Sequence, residues 1–422
     1  MKNRRLAKIY YVDLWGLREE KYKYLFENDV RITDWQELKP IAPYYFFVPK
    51  DFALQEEYEK FWKVTDIFKE WSSGVTTHRD HFVVGFTERE IIQRLKVFIG
   101  NLSDELVKRG LNLKDTRDWK VRESREKAKE ENLVEKIHTY AYRPFDIRHV
   151  CYSFSLIERG HNRWKLMKHL LKRNVCLLCM REVVIRAGFS HIFVTNAISD
   201  RRMLLSNRGA PYFFPLYLYP DEPVTAIHEL PLQNKSKLER MPNFTPEFLQ
   251  AIKESLGFEP TPEEIFYYIY AVLYSPTYRK RYEEFLKIDF PRLPLPSDYE
   301  VFKALSHLGK ELVDLHLLKA PALDETEIGF PKGGSNRVEK ISYDEINQIV
   351  LINKEQFFEG ISKEVWEYRI GAYQVMEKYL KDRKKRKLSL DEINHYMKVE
   401  KAIRLTTELQ GKIEDVYRKI EV

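Results

Sequence analysis

The period of the apolar positions changes along the chain and divides it into three parts. Over residues 1–135, short aromatic and β-branched runs, Lys8-Ile-Tyr-Tyr-Val12 and Pro43-Tyr-Tyr-Phe-Phe-Val48, alternate with stretches at 53–70 and 88–109 whose apolar side chains recur every three or four residues. The first kind predicts strands, the second helices. Residues 114–136 carry so many charges that a solvated segment is expected there. From 136 to about 220 the apolar runs are short or alternating, at Ile137 to Tyr142, Val175 to Met180, His191 to Thr195 and Tyr212 to Tyr219, which predicts a strand-rich section. Residues 161–173 stand out from it as an amphipathic helix. Trp164, Met167, Leu170 and Leu171 fall on its inner face, and Lys165, Lys168, Lys172 and Arg173 on the outer.

Pro220, Pro223, Pro231 and Pro242 mark residues 221–243 as a linker. Beyond it the period is helical. Thr261-Pro262-Glu263-Glu264 joins a capping box to a proline at the first helical position, with Ile265, Ile269, Val272 and Leu273 on one face. Ser297-Asp-Tyr-Glu300 and Ser389-Leu-Asp-Glu392 repeat the box, the last ahead of a terminal helix of about eight turns. Gly329 to Ser335 separates two helical groups. The expected class is α+β: a mixed part at 1–135, a β-rich domain at 136–235 and a helical domain at 236–422.

A chain of 422 residues, 44% hydrophobic and 14% aromatic, can bury two or three cores, so disorder is not expected. No run approaches the roughly 18 apolar residues of a membrane span, and the basic amino terminus lacks the apolar core of a signal peptide. Cys151, Cys176 and Cys179 cannot form a disulfide framework. A cytoplasmic protein without membrane contact is expected. The formal charge is +7, and residues 159–186 hold eight basic side chains against one acid, Glu182, which points to a positive face suited to a polyanion.

Several chemistries lack their residues. There is no G-x-x-x-x-G-K-[ST] and no G-x-G, so the glycine cradles for nucleotides or S-adenosylmethionine are missing, and no Asn-Pro-Pro-aromatic or Asp-Pro-Pro-aromatic tetrapeptide is present to grip a flipped base. Pro220-Asp221 could open a nuclease carboxylate motif, but no following Glu has a lysine two residues on. Cys176 and Cys179 have no second ligand pair and alternate as in a buried strand, and the histidines form no compact ligand pattern, so no metal site is expected. No G-x-S-x-G elbow is present.

The positive signals are cationic. Arg163, Lys165, Lys168, Lys172 and Arg173 could lie along a phosphate backbone, or meet acids elsewhere in the fold. Arg181, Glu182, Arg186, Asp200, Arg201, Arg202, Asn207 and Arg208 lie in turns of the β-rich section. Arg on guanine, Asn on adenine and Glu or Asp on the cytosine amine are the side chains that read base edges, although each is also an ordinary surface ion-pair former. Lys381-Asp-Arg-Lys-Lys-Arg-Lys387 is either a phosphate contact or a solvated helix end.

Seven ordered stretches then carry a resemblance. Tyr142-Arg-Pro-Phe-Asp-Ile-Arg148, Phe189-Ser-His-Ile-Phe-Val194, Phe214-Pro-Leu-Tyr-Leu-Tyr219, Ile265-Phe-Tyr-Tyr-Ile-Tyr-Ala271, Ser275-Pro-Thr-Tyr-Arg279, Asp289-Phe-Pro-Arg292 and Leu315-His-Leu-Leu318 resemble the carboxy-terminal specificity region of type ISP and related single-chain restriction-modification enzymes. The likeness continues through Trp366, Ile370-Gly-Ala-Tyr-Gln374 and Tyr379-Leu-Lys-Asp-Arg383. Upstream, Gly74-Val-Thr-Thr-His-Arg-Asp80 is similar to the segment that joins the methyltransferase core to the recognition domain. The resemblance implies recognition of double-stranded DNA, with a DNA methyltransferase or restriction subunit as partner. It implies no cofactor in this chain and S-adenosylmethionine in that partner or in a full-length enzyme. Stretches shared across enzymes of different targets are fold or phosphate residues by this logic, so Arg143, Asp146 and Arg148 are assigned there, and base reading falls to Arg181, Glu182, Arg186 and 201–208. The alternatives are a chain that is itself part of an adenine methyltransferase or restriction enzyme, or a degenerate remnant of one.

Overall fold

The structure is a computed structural model that describes residues 7–42, 44–49, 53–158, 160–183, 188–204, 209–220 and 240–420. The chain forms two compact units, Met1–Glu56 and Glu57–Val422. In the first, strand Ile9–Tyr11 pairs antiparallel with Gln36–Leu38, and helix Arg18–Glu27 lies between them in sequence. The strand expected at 43–48 does not form at 44–48, where Tyr45 takes a φ of 48° and turns the chain; Pro43 lies outside the described residues.

The second unit is α+β, as expected, but its strands cross the expected boundaries. One four-stranded sheet runs in the order Ile198–Ser199, Ile137–Arg143, Asp146–Cys151, Val84–Gly85. The other runs Ser72–Ser73, Pro211–Pro215, Cys176–Met180, Ile192–Thr195. Each sheet takes an edge strand from before residue 135, so residues 72–85 are woven into the β-rich part. Trp62–Lys63 likewise pairs with Arg292–Leu293, across both boundaries.

Individual elements follow their periods with instructive exceptions. The 53–70 stretch gives only short helices, Gln55–Glu59 and Val64–Ile67, around strand Trp62–Lys63. The 88–109 stretch is helical as Glu88–Ile99 and Asp104–Gly110. The charged segment holds helix Val121–Lys129, whose Arg125 is buried rather than solvated. Its guanidinium donates to the carbonyls of Phe98, Gly100 and Leu102 and pairs with Asp104, closing the end of helix Glu88–Ile99. In the basic helix, Gly160–Met167 is α-helical but Lys168–Leu171 is a 3-10 turn. The tighter turn keeps Leu170 under Met167 and rotates Leu171 outward, to 43% exposure. Cys176 and Cys179 are buried strand residues, and among the described residues no group of His, Cys, Asp and Glu could hold a metal. No helix among the described residues is long and apolar enough to cross a membrane.

Residues 221–239 of the expected linker lie outside the described residues; Met241–Pro242 pairs with Tyr217–Leu218. The three long helices Pro262–Tyr274, Tyr299–His316 and Leu390–Tyr417 then pack together. Thr261 and Ser389 form the expected capping boxes, whereas Asp298, one residue later than expected, caps the middle helix through its bond from Val301 N. A small sheet, Ser342–Asp344, Ile349–Leu351 and Phe357–Glu359, interrupts the helical part, as does the hairpin of Arg369–Ile370 and Tyr373–Gln374.

Between the long helices His316 Nδ1 accepts from Tyr270 Oη at 2.6 Å, Nε2 donates to Thr406 Oγ1 at 3.0 Å, and that hydroxyl donates to the Ala402 carbonyl. Burial, then the nearby Arg279 charge, lowers this imidazole to about 3, and the same causes lower His191 to about 4. A depressed histidine stabilises the fold fully above its unfolded value of about 6.5, and that stability is lost as pH falls through it. Burial pushes Glu400 up to about 7, which works in the opposite sense: acidification relieves its destabilisation. From pH 7 to 5 stability is therefore withdrawn at His316 and His191, and also at His138 and His395, which burial lowers too, while Glu400 restores part of it, so the fold is expected to lose stability on balance. Denaturant unfolding at the two pH values is expected to show this, with a steeper loss in Glu400→Gln.

Candidate nucleic-acid interface

Where the two sheets meet, the chain closes a short parallel bridge. Val75 N donates to Ser199 O at 2.9 Å and Arg201 N to Val75 O at 2.8 Å. The approach is tight enough to require glycine at position 74, where a Cβ would lie 2.8 Å from Arg201 N and from the Phe213 ring. The bridge opens a cleft of about 710 Å³, with Thr77, His78, Asp80 and His81 on one wall and Asp200, Arg201 and Arg202 on the other. His78 and both arginines are exposed, and His78 takes a φ of 56° that turns the wall outward.

The floor is polar and fixed. Asp200 accepts from Tyr140 Oη at 2.9 Å, Arg143 Nη1 at 2.9 Å and the backbone N–H of Arg202 at 2.6 Å. Burial raises its carboxyl above the ordinary range while Arg143 pulls it down. Asp80 accepts from Thr77 Oγ1 and from Tyr142 Oη. The Arg201–Arg202 backbone is thus held from beneath by a buried carboxylate, while neither guanidinium has a partner among the described residues. That arrangement presents two fork-shaped donors on a rigid edge.

Beneath the cleft lies a ladder of cations and rings. Arg143 and Arg148 sit on the Tyr142 ring, each 3.8 Å from its centroid, and Arg148 and Arg386 flank Phe86 at 4.3 and 3.9 Å. Asp146, 1% exposed, bonds Arg148 Nη2 at 2.6 Å and Arg383 Nη2 at 3.0 Å. Burial alone would raise the Asp146 carboxyl, but Arg383 and Arg148 hold it below its usual value. Arg148 also meets Asp382 at 3.1 Å. Arg143 and Arg148 are therefore interior fold residues, and a phosphate contact by either is corrected: both are buried and ion-paired. The same holds for Arg383 of the basic run 381–387.

The remaining expected residues are placed as follows. Arg163 is half-buried and donates to Ser72 Oγ at 3.1 Å, which sets the basic helix against the strand that leads into the cleft. Lys165, Lys172 and Arg173 are exposed, Lys172 lying 5.0 Å from the Tyr219 ring, and Lys168 is half-buried. Arg181 is 65% exposed and lies 3.6 Å from Asp289, and Glu182 is exposed beside it. Arg186, Asn207 and Arg208 lie outside the described residues. The structure thus brings Arg201 and Arg202 together with His78 and His81, which the sequence reading treated as part of a joint. Tyr373 Oη also donates to Arg202 O at 3.0 Å, and Gly371 exchanges bonds with Ser190, so one hairpin from the helical part braces both strand-end loops.

The second unit thus sets two four-stranded sheets beside a helical part, with two exposed arginines on the rim of the cleft. The profile of the Type ISP C-terminal specificity domain matches residues 66–409, and the chain belongs to that family. Three solved structures share the fold. The DrdV–DNA complex, determined by electron cryomicroscopy, matches with a TM-score of 0.73 and 20% identity over 96% of this chain and 43% of that one. A nuclease-deletion mutant of the Type ISP restriction-modification enzyme LlaGI with a DNA substrate mimic matches at 0.68 and 19%, over 97% and 33%. The ATP-dependent Type ISP enzyme LlaBIII bound to DNA matches at 0.67 and 17%, over 92% and 26%. The chain therefore spans less than half of each of these enzymes. No curated protein matches it.

Proposed function

We propose that this chain recognises a specific sequence in double-stranded DNA as the specificity part of a restriction-modification system, and that adenine methylation and cleavage are carried out by a methyltransferase or nuclease part beyond these residues. The observation that carries this reading is the pair Arg201–Arg202, exposed on the cleft rim while the backbone beneath is pinned to buried Asp200. Membership in the specificity-domain family supports it, as do three relatives of the same fold that were solved with DNA or a DNA mimic. S-adenosylmethionine would be held by the methyltransferase part. The sequence here holds no glycine cradle for it.

In this reading the two guanidinium forks enter a groove, where bidentate pairing to guanine O6 and N7 discriminates among bases. Lys165, Lys172 and Arg173 follow the phosphate backbone and contribute affinity without sequence preference. Selection from a randomised duplex pool would define the target. Arg201→Ala or Arg202→Ala is then expected to reduce discrimination between target and random duplex by about 1–3 kcal/mol. Lys165→Ala is expected to weaken both alike. Equal effects of all three substitutions on target and random DNA would remove the division of roles.

A further inference from the structure

Three stretches converge on a second cavity. Phe189–Ser190, Arg279 and the hairpin ending at Gln374 line a pocket of about 490 Å³, with Glu367, Arg369 and Gln410 around it. Arg279 is the unusual member. Its Nε donates to Leu273 O at 2.6 Å and its guanidinium lies 4.1 Å from the Tyr274 ring, so one edge serves the end of helix Pro262–Tyr274. The other edge is unexplained: Nη2 is buried with no hydrogen-bond partner, and the side chain forms no ion pair with any described carboxylate. Glu414, on the neighbouring helix, is occupied by Ser275, Thr277 and Arg418. A half-buried cation without a counter-charge among the described residues is costly, and here the side chain lines a space large enough for a small anion.

The surrounding donors suit a tetrahedral oxyanion. Gln374 Nε2 bonds Trp366 O and Gln410 Nε2 bonds Tyr274 O, and each amide nitrogen retains a second proton. Arg369 is exposed at the mouth, and exposed Glu367 is the one negative group among the lining residues. We propose that this pocket binds a phosphate group, with Arg279 as its charged ligand and Arg369 assisting at the entrance. The group belongs either to the DNA backbone or to a free phosphate ion. The site stands independently of the base-reading role assigned to Arg201 and Arg202.

The test is calorimetric titration of the full chain with inorganic phosphate at constant ionic strength, against chloride, together with the salt dependence of duplex affinity. Phosphate binding is expected to weaken about tenfold or more in Arg279→Gln and to tighten a few-fold in Glu367→Gln, which removes the competing charge at an exposed position. The Glu367 variant keeps the test informative if Arg279→Gln fails to fold. A salt slope smaller by about 0.9 in Arg279→Gln assigns the site to a backbone phosphate, and an unchanged slope with phosphate binding assigns it to the free ion. No phosphate binding in either the native chain or Glu367→Gln, with an unchanged slope, overturns the proposal. Phosphate binding by a chain that grips no duplex would keep this site and dismiss the DNA reading.

Discussion

Gly309→Ala is expected to lower the unfolding free energy by about 3 kcal/mol, although it adds one methyl group to a helix and alanine is the better helix former. Gly309 lies in helix Tyr299–His316 where that helix crosses Pro262–Tyr274, and a Cβ there would stand 2.0 Å from Tyr267 O and 2.7 Å from Tyr267 C. Both obstacles are backbone, so no side chain can swing aside; the helices must separate and the contact between them must loosen. Gly411 is the control. It lies exposed in helix Leu390–Tyr417 with nothing within 4 Å of its missing Cβ, so Gly411→Ala is expected to stabilise by about 0.5–1 kcal/mol. Guanidinium unfolding of the two variants should move the midpoint in opposite directions. Equal small shifts would mean that the helices are not in contact through position 309.

Asp146→Ala is expected to cost about 4 kcal/mol, since it leaves Arg148 and Arg383 buried with their shared carboxylate removed. Asp382 and Glu392 each still meet one of these arginines, which keeps the loss within that range. An exposed pair behaves otherwise: Lys253 and Glu259, 52% and 76% exposed, should lose less than about 0.5 kcal/mol on Glu259→Ala. Thermal unfolding of the two variants separates an interior junction from a surface pair. The junction joins the strand pair Ile137–Arg143 and Asp146–Cys151 to helix Val375–Lys381 and the residues after it, so its loss should also disturb the cleft above.

Much of this architecture was legible in the sequence where a local rule acts alone. The capping boxes at Thr261 and Ser389 and the terminal helix follow from side chains that bond within one turn. The strands at 137–143 and 176–180 follow from their apolar runs. What local pattern could not reveal is pairing at a distance. Ser72–Ser73 and Val84–Gly85 are two-residue strands with no period of their own, made visible only by their partners in the two sheets. The basic side chains show the same limit. Arg125, Arg143, Arg148 and Arg383 have the same composition signal as Arg201 and Arg202, but acids at least 21 positions away help to draw the first four inside, Asp104, Asp200, Asp382 and Asp146 in turn. Asp146 and Arg383, 237 positions apart, illustrate how little of this could be read from spacing. Gly74 to Asp80 was legible as a distinct stretch, yet its role as a cleft wall depends on the bridge from Val75 to Ser199 and Arg201.

The central claim is that this chain itself grips duplex DNA through exposed cations on and beside the cleft. Equilibrium binding of the purified chain to a selected duplex, measured from about 50 to 200 mM salt, tests it most directly. With Lys165, Lys172 and Arg173 exposed to follow the phosphate backbone, log affinity against log salt is expected to fall with a slope of about −3. A chain that binds no duplex at the lowest salt, or one whose affinity is indifferent to salt, would contradict the account.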